Sequence, residues 1–447
     1  MENMNEKREA TTEVMAANPN KRLILKSIAI GIITLLLLIP IKMVESLIEE
    51  REYTARTAMR DVFEQWGDEQ LIIAPTINYD LKVRYCHMEG NEKKYETYDR
   101  HVKLLPEELK INGTVNSQQL KRGIYEIVTY NAPIEITGSF VFSDEIVADF
   151  GRDISDENVQ ISISDIKGIS EEIKLTLGNE TYTLVPNGES MLSTKRFSAY
   201  VNLSQWKAGE KVPFKMVLNL KGSQSIKFLP IGKETVVSLT SNCHTPSFCG
   251  NFLPTTREVK EDGFSSEWKV SYVNRAYPQQ IVGSVDASEF KESEFGVNLL
   301  IPVQHYQKTL RCVKYAELFV ILTFVLFFFI EIIQKRRVHP LQYTLVGLAL
   351  TLFYSLLLSM SEHIGFVPSY WISTIMTVTL ITLYSVGVLK IRKTAAYIGA
   401  SLFGLYTYIF ILIRMETYAL LAGSLGLFVI LAVLMYLSQR INWSKAE

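Results

Sequence analysis

Two cysteines six positions apart, with a histidine between them, are the first residues that could do chemistry: Cys243, His244 and Cys249 in "NCHTPSFCGNFLP". A structural zinc site needs four ligands and a catalytic one three plus water. The usual C-x2-C spacing is missing here. His87, His101, His305 and His363 supply no second half-site. A cysteine nucleophile needs a paired histidine and a specific local signature, and neither is present. What is left is a disulfide between Cys243 and Cys249, closed through a turn at Pro246 and Gly250, or two separate reduced thiols. The carboxylates of "DFGRDISDEN" (149–158) and "KEDGF" (260–264) fit solvated turns better than the spaced pair a glycosidase needs. GxSxG, Walker A, HExxH and dinucleotide fingerprints do not stand out. No cofactor and no metal is implied.

The choice between bridge and thiols depends on compartment, and so on the elements that position the cysteines. The 447 residues carry a formal net charge of −1 and are 48% hydrophobic. That balance offers no basic face for nucleic acid. The average conceals a division. Residues 42–314 are polar and alternating, whereas residues 315–447 contain no aspartate and are dominated by apolar runs. A bilayer core requires roughly 20 apolar residues. "SIAIGIITLLLLIPIKMV" (27–44) meets this, follows Lys21, Arg22 and Lys26, and lacks a small-x-small cleavage site. It is expected to be an uncleaved anchor. Five further spans are expected at 315–333, 341–360, 367–389, 395–413 and 418–437.

The short connections set the orientation. Lys335, Arg336 and Arg337, then Lys390, Arg392 and Lys393, then Arg440 and Lys445 all fall on the side of the N-terminus. Basic loops stay cytoplasmic. Both termini are therefore expected inside, and residues 42–314 outside. All four cysteines (Cys86, Cys243, Cys249, Cys312) then lie in or at the edge of a compartment that permits disulfides.

After the first span, apolar or small residues from Val44 to Trp66 follow a near-helical period, with Gly67 as a stop. From Leu71 the period becomes two. Strands are expected at 125–142, 159–166, 173–185, 197–203, 214–222, 234–242 and 267–274, with hairpin turns at "LGNETY" and "LKGSQSI". Such strands without long intervening helices predict a mainly antiparallel, sandwich-like β domain. The expected organisation is a cytoplasmic tail (1–22), a transmembrane anchor (23–44), an extracytoplasmic helix (45–67), an extracytoplasmic β domain (68–304), a five-helix transmembrane bundle (305–437) and a cytoplasmic tail (438–447). The fold class is thus a six-helix membrane protein with a large extracytoplasmic β domain.

Within the spans Glu331 is the notable ionisable residue, and an i,i+4 pair with Lys335 is expected to satisfy it. Glu362 and His363 lie at the end opposite His339. Mid-span positions offer only Ser, Thr and Tyr hydroxyls, which disfavours a proton relay. Gly347, Gly387, Gly399, Gly404, Gly423 and Gly426 suit close helix contact.

Four stretches stand out: "HYQKTLRCVKYAELFVILTFVLFFFIE" (305–331), "RVHPLQYTLVGLALTLFYSLLLSMSEHIGF" (337–366), "PSFCGNFLP" (246–254) and "ERE…AMRDVFEQWG" (50–67). Together they resemble the CreD family of bacterial inner-membrane proteins. The resemblance implies a role in cell-envelope integrity, in tolerance to some colicins, and in the output of a two-component system bearing on β-lactam response. It implies no catalytic residues. Its motif positions are Tyr306, Gln307, Lys308, His339, Pro340, Gln342, Tyr343, Ser361, Glu362 and His363, which serve equally well as packing and interface residues. The family pattern has an aromatic residue where Cys243 stands, so the thiols depart from it.

A non-enzymatic envelope protein is the leading expectation, with the lipid bilayer and other envelope proteins as partners. A transporter or lipid-handling protein is the alternative, and an extracytoplasmic hydrolase the third reading.

Overall fold

The first apolar run and the amphipathic stretch after it form one helix, α1 (Pro19–Trp66), of 48 residues. That is more than twice the ~20 residues a bilayer core requires. It stops where the sequence says it should. Gly67 adopts φ +138°, and a Cβ there would come within 2.9 Å of the Lys221 carbonyl oxygen. The Gly67 N–H still donates to the Phe63 carbonyl at 2.9 Å. The computed structural model describes residues 19–89, 92–123, 125–150, 153–189, 191–283, 287–299, 304–334, 338–415 and 418–439. Two units emerge, Met1–Arg56 with Pro302–Glu447, and Thr57–Ile301. The anchor continues outward into the following helix without a break, as the near-helical period after the first span predicts, and the division between the units falls inside α1. The basic clusters at Lys335–Arg337 and beyond Gln439 lie outside the described residues.

The second unit is built from sixteen strands among the described residues. They are β1 (Gln70–Glu89), β2 (Glu92–Leu104), β3 (Glu108–Arg122), β4 (Tyr125–Val141), β5 (Ile154–Ile163), β6 (Ile173–Leu177), β7 (Glu180–Glu189) and β8 (Lys195–Tyr200). Then come β9 (Lys211–Ser223), β10 (Ser225–Phe228), β11 (Glu234–Ser241), β12 (Pro246–Gly250), β13 (Thr256–Lys260), β14 (Gly263–Ser271), β15 (Gln280–Val282) and β16 (Phe295–Leu299). One sheet runs β12-β16-β10-β1-β5-β8-β7, with β2 and β15 branching from β1; the other runs β7-β6-β9-β4-β3-β11-β14-β13. Strand β7 belongs to both. Its first half pairs with β6 and its second, from Val185, with β8. All pairings are antiparallel except β1 with β10 and β3 with β11. Inward-facing residues of both sheets form one hydrophobic core that includes Ile77, Ile134, Val159, Phe214 and Trp268. Strand alternation generates it: in β9 every second residue from Val212 to Leu220 is buried and those between are exposed.

The seven expected strands are present, and "LGNETY" is the β6–β7 hairpin with Gly178 at φ +60°. The second expected hairpin is not formed. The chain turns at Gln224 (φ +60°), but β10 crosses to the other sheet and pairs with β1 and β16 instead of β9.

The helical unit continues through α2 (Gln304–Lys314), α3 (Ala316–Gln334), α4 (Pro340–Ile364), α5 (Phe366–Leu389), α6 (Arg392–Arg414) and α7 (Ala419–Gln439). Five helices, α1 and α3 to α6, are long and apolar enough to cross a membrane; α7 is apolar over the shorter stretch Leu420–Tyr436. The six expected spans correspond to these. Helix α2 was not anticipated as a separate element. Its buried residues, Tyr306, Thr309, Cys312 and Val313, recur at helical spacing, while Arg311 and Lys314 stay exposed.

Candidate functional site

The motif residues gather at the two ends of α4. At its start, Lys26 of α1 donates to the Glu331 carboxylate of α3, and also to the Val338 carbonyl at 2.6 Å. The Tyr343 hydroxyl donates to the second Glu331 oxygen at 3.1 Å, and the Lys26 ammonium lies 5.8 Å from the centre of the Tyr343 ring. Glu331 is 12% exposed and Lys26 20%. The glutamate is thus held by donors from two other helices, α1 and α4; Lys335, to which the local i,i+4 spacing pointed, lies outside the described residues. Burial explains the arrangement. A carboxylate near the end of an apolar helix is costly unless its oxygens are taken, and α1 and α4 each supply a donor.

His339, Pro340 and Gln342 start α4. The Leu341 N–H donates to His339 Nδ1 at 3.3 Å, and the His339 N–H donates to Gln342 Oε1 at 2.9 Å. This is a reciprocal capping box. Pro340 stands at a position where its missing N–H costs nothing. Three motif residues therefore begin the helix, and the fourth, Tyr343, fastens its first turn to Glu331.

Nineteen positions later, about 28 Å along the helix, lies the second cluster. Tyr306 of α2 is fully buried, and its hydroxyl donates to Glu362 Oε1 at 2.8 Å. The His305 ring packs on Tyr306 with centroids 4.2 Å apart. Burial lowers the His305 pKa, and Glu362 and Glu52 partly oppose this. Ser361 is buried and donates to the Leu358 carbonyl at 2.9 Å. Gln307 and His363 are exposed and Lys308 is half-buried. The ten motif residues thus do not form a single site.

Between the clusters the bundle is aromatic. Tyr406 lies 4.4 Å from Phe319 and 4.6 Å from Phe353, centroid to centroid, and the Tyr370 hydroxyl donates to the Tyr406 carbonyl at 2.7 Å. Of the six glycines expected at close contacts, three are there. A Cβ on Gly347 would meet Leu37, one on Gly399 would meet Thr382, and one on Gly426 would meet Tyr408. Gly387, Gly404 and Gly423 have nothing within 4 Å.

The cysteine stretch resolves as a strap across the sandwich. Asn242 holds Ser117 of β3 through both its amide oxygen and nitrogen. Cys243 then turns into the core, and His244 is exposed. Cys249 sits in extended β12 with its thiol donating to Asn298 Oδ1 at 3.3 Å. Phe248 packs edge-on against Phe264 and Trp268 of the other sheet. The expected Cys243–Cys249 bridge is not formed: all four cysteines are free. The residues between the two extend into a strand rather than closing a turn. Burial pushes the Cys249 thiol pKa up. Among the described residues no cluster of three or more His, Cys, Asp or Glu could hold a metal ion.

The model of the family described as "Inner membrane protein CreD" matches residues 22–444. The chain belongs to the CreD family. It is 30% identical to the inner membrane protein CreD of Escherichia coli (strain K12) over 414 residues, covering 92% of this chain and 91% of the relative. A crystal structure of an M1 zinc metallopeptidase from Deinococcus radiodurans aligns with 40% of this chain and 42% of its own at 10% identity. Its TM-score is 0.20, too low to inform the fold. This CreD-family chain is a multi-pass inner-membrane protein.

Proposed function

We propose that this CreD-family protein supports cell-envelope integrity, including responses to envelope stress, β-lactams and colicins, through a periplasmic β unit held by a membrane scaffold. Both termini are cytoplasmic in this reading. Basic connections on the side of the N-terminus support that orientation. The partners are other envelope proteins that engage the β unit.

The observation that carries the scaffold reading is the pairing of the carboxylates at the two ends of α4. Glu331 is taken by Lys26 and Tyr343, and Glu362 by Tyr306. A permeation path needs mid-depth groups that replace hydration. Here the middle of the bundle is packed rings and hydroxyls.

A charge swap tests it. Lys26→Glu and Glu331→Lys, each alone, bury an unmatched charge and lower the amount of protein in the membrane. Combined, they restore the pair with its polarity reversed. A scaffold then recovers both protein level and envelope phenotype. A conduit that needs a carboxylate on α3 recovers the level but not the phenotype, and that outcome would replace the scaffold with the transporter or lipid-handling reading.

A further inference from the structure

Four strands of the β unit lie side by side in the order β2-β1-β5-β8. Alternation sends Ile77, Val102, Val159 and Phe197 into the core. The opposite face is polar. Its cross-strand rows place Lys103 beside Asn78 and Asn158, Gln160 beside Ser198, and Arg196 beside Ser162. Part of this face lines a cavity of about 230 Å³ that includes Asn78, His101, Lys103, Asn158, Gln160 and Arg196.

Three carboxylates, Asp80, Asp156 and Glu189, line this cavity with His101, Lys103 and Arg196, but among the described residues none of them is bonded to Lys103 or Arg196. Asp80 is engaged by His101, and Glu189 by Lys195. Asp156 is exposed at the rim. Lys103 has no carboxylate partner among the described residues. Burial lowers its pKa to about 8, and the charged group that adds to this is a second cation, Arg196. Arg196 spends one N–H on the Glu189 carbonyl at 2.7 Å, while its buried Nε has no partner among the described residues. Gln160 is 7% exposed, and its amide has no protein partner among the described residues. Strands β2 and β8 stand three strand spacings apart, about 14 Å. Both long side chains nevertheless reach the same space.

Two half-buried cations facing each other with no carboxylate bonded to either destabilise a fold. Unused donors around them add to that cost. Asn78 and Asn158 already donate to Thr76 and to the Asp156 carbonyl, but one group relieves the rest at once: an oxyanion, which accepts from lysine, from the arginine fork and from the Gln160 amide together.

We propose that this cavity binds a small polar ligand through its carboxylate or phosphate group. Lys103 and Arg196 hold the oxyanion, and Asn78, Asn158 and Gln160 hold the hydroxyl- or amide-bearing body. The inference stands apart from the envelope role and from the state of the helical bundle.

The experiment follows unfolding of the full chain in detergent micelles by tryptophan fluorescence. Acetate, inorganic phosphate and chloride are titrated separately at matched ionic strength. Anything that binds only the folded state raises the midpoint with concentration. Acetate or phosphate should raise it above chloride, and the stronger of the two identifies the headgroup. Lys103→Met should weaken that response by about tenfold or more. This variant removes a buried unmatched charge, so it folds at least as well as the parent without ligand. Arg196→Met should weaken the response likewise. Equal shifts for all three anions, or an oxyanion response undiminished in Lys103→Met, would overturn the proposal.

Discussion

Tyr306 and Glu362 are 56 positions apart in the chain, yet the tyrosine hydroxyl donates to the carboxylate at 2.8 Å. This bond joins amphipathic α2 to the last turn of α4. The Lys26–Glu331–Tyr343 cluster does the same at the first turn, where it joins α4 to α1 and α3. A single 25-residue helix is thus fastened at both ends by carboxylates whose partners come from other helices.

Tyr306→Phe removes one hydrogen bond to a charged group and is expected to cost about 1.5–3 kcal/mol. Glu362→Gln should cost less once the Tyr306 hydroxyl has already been removed. Denaturation of the full chain in micelles, run as a double-mutant cycle, measures the coupling. A coupling within about 0.5 kcal/mol of zero would mean that the bond does not fasten α2 to α4.

The glycines separate into two groups by surroundings. A Cβ at Gly347 would lie 2.1 Å from Leu37 Cδ1, and Leu37 is itself buried. Gly347→Leu should therefore destabilise the bundle by about 1–3 kcal/mol through overpacking. Gly387→Ala meets nothing within 4 Å and should stabilise by up to about 1 kcal/mol through helix propensity. Similar effects of the two substitutions on the unfolding midpoint would contradict the close approach of α1 and α4.

Much of this arrangement was legible in the sequence, and the exceptions share a cause. Helix starts, the stop at Gly67 and the alternating strands are local, so residue type and period reveal them. The partner of Glu331 is not local. Spacing offered Lys335, which lies outside the described residues; it gave no hint of Lys26, 305 positions away, which tertiary packing supplies. Likewise "LKGSQSI" has the composition of a hairpin turn. Only the competition between sheets decides that β10 leaves β9 for β1 and β16. Helix α2 was missed because it is short, polar and directly followed by an apolar run; its 306, 309, 312, 313 spacing is the signal that could have found it. The cavity around Lys103 left no motif at all, since its lining comes from six strands, from Asn78 in β1 to Ile281 in β15.

The thiols give a direct chemical check. Cys243 is buried and Cys249 donates to Asn298 with its pKa raised by burial. Reactivity follows the thiolate, so both should alkylate slowly in the folded protein near neutral pH and fully once it is unfolded, without reductant. Mass spectrometry should find both peptides modified. A bridged peptide joining residues 243 and 249 in protein kept from air oxidation would restore the disulfide.

Orientation is tested with single cysteines in a background lacking the native four. Gly365 follows α4 and Lys390 follows α5, and both are exposed. A membrane-impermeant thiol reagent should label position 365 in intact spheroplasts and position 390 only after lysis. Equal labelling of the two would place both connections on one side and remove the basis for a periplasmic β unit.

Lys103 links stability to pH in a direction that can be worked out. Burial, reinforced by Arg196, lowers its folded pKa to about 8, whereas an unfolded lysine titrates near 10.4. Below about pH 8 both states carry the proton, and the folded protein bears the full cost of an unmatched ammonium. Between about 8 and 10 the unfolded chain still holds a proton that the folded chain has released, so this group's contribution makes folding more favourable as pH rises. Arg196, His101, Asp80, Asp156 and Glu189 share the cavity. They are common to the parent and to Lys103→Met, so comparing the two proteins isolates the lysine. Without ligand, Lys103→Met is expected to be more stable at pH 7 by on the order of 1–2 kcal/mol. That advantage should shrink steadily from pH 8 to pH 10. Denaturant unfolding of both proteins across this range checks it, and a variant less stable than the parent at pH 7 would show that Lys103 has a partner on the folded protein that satisfies its charge.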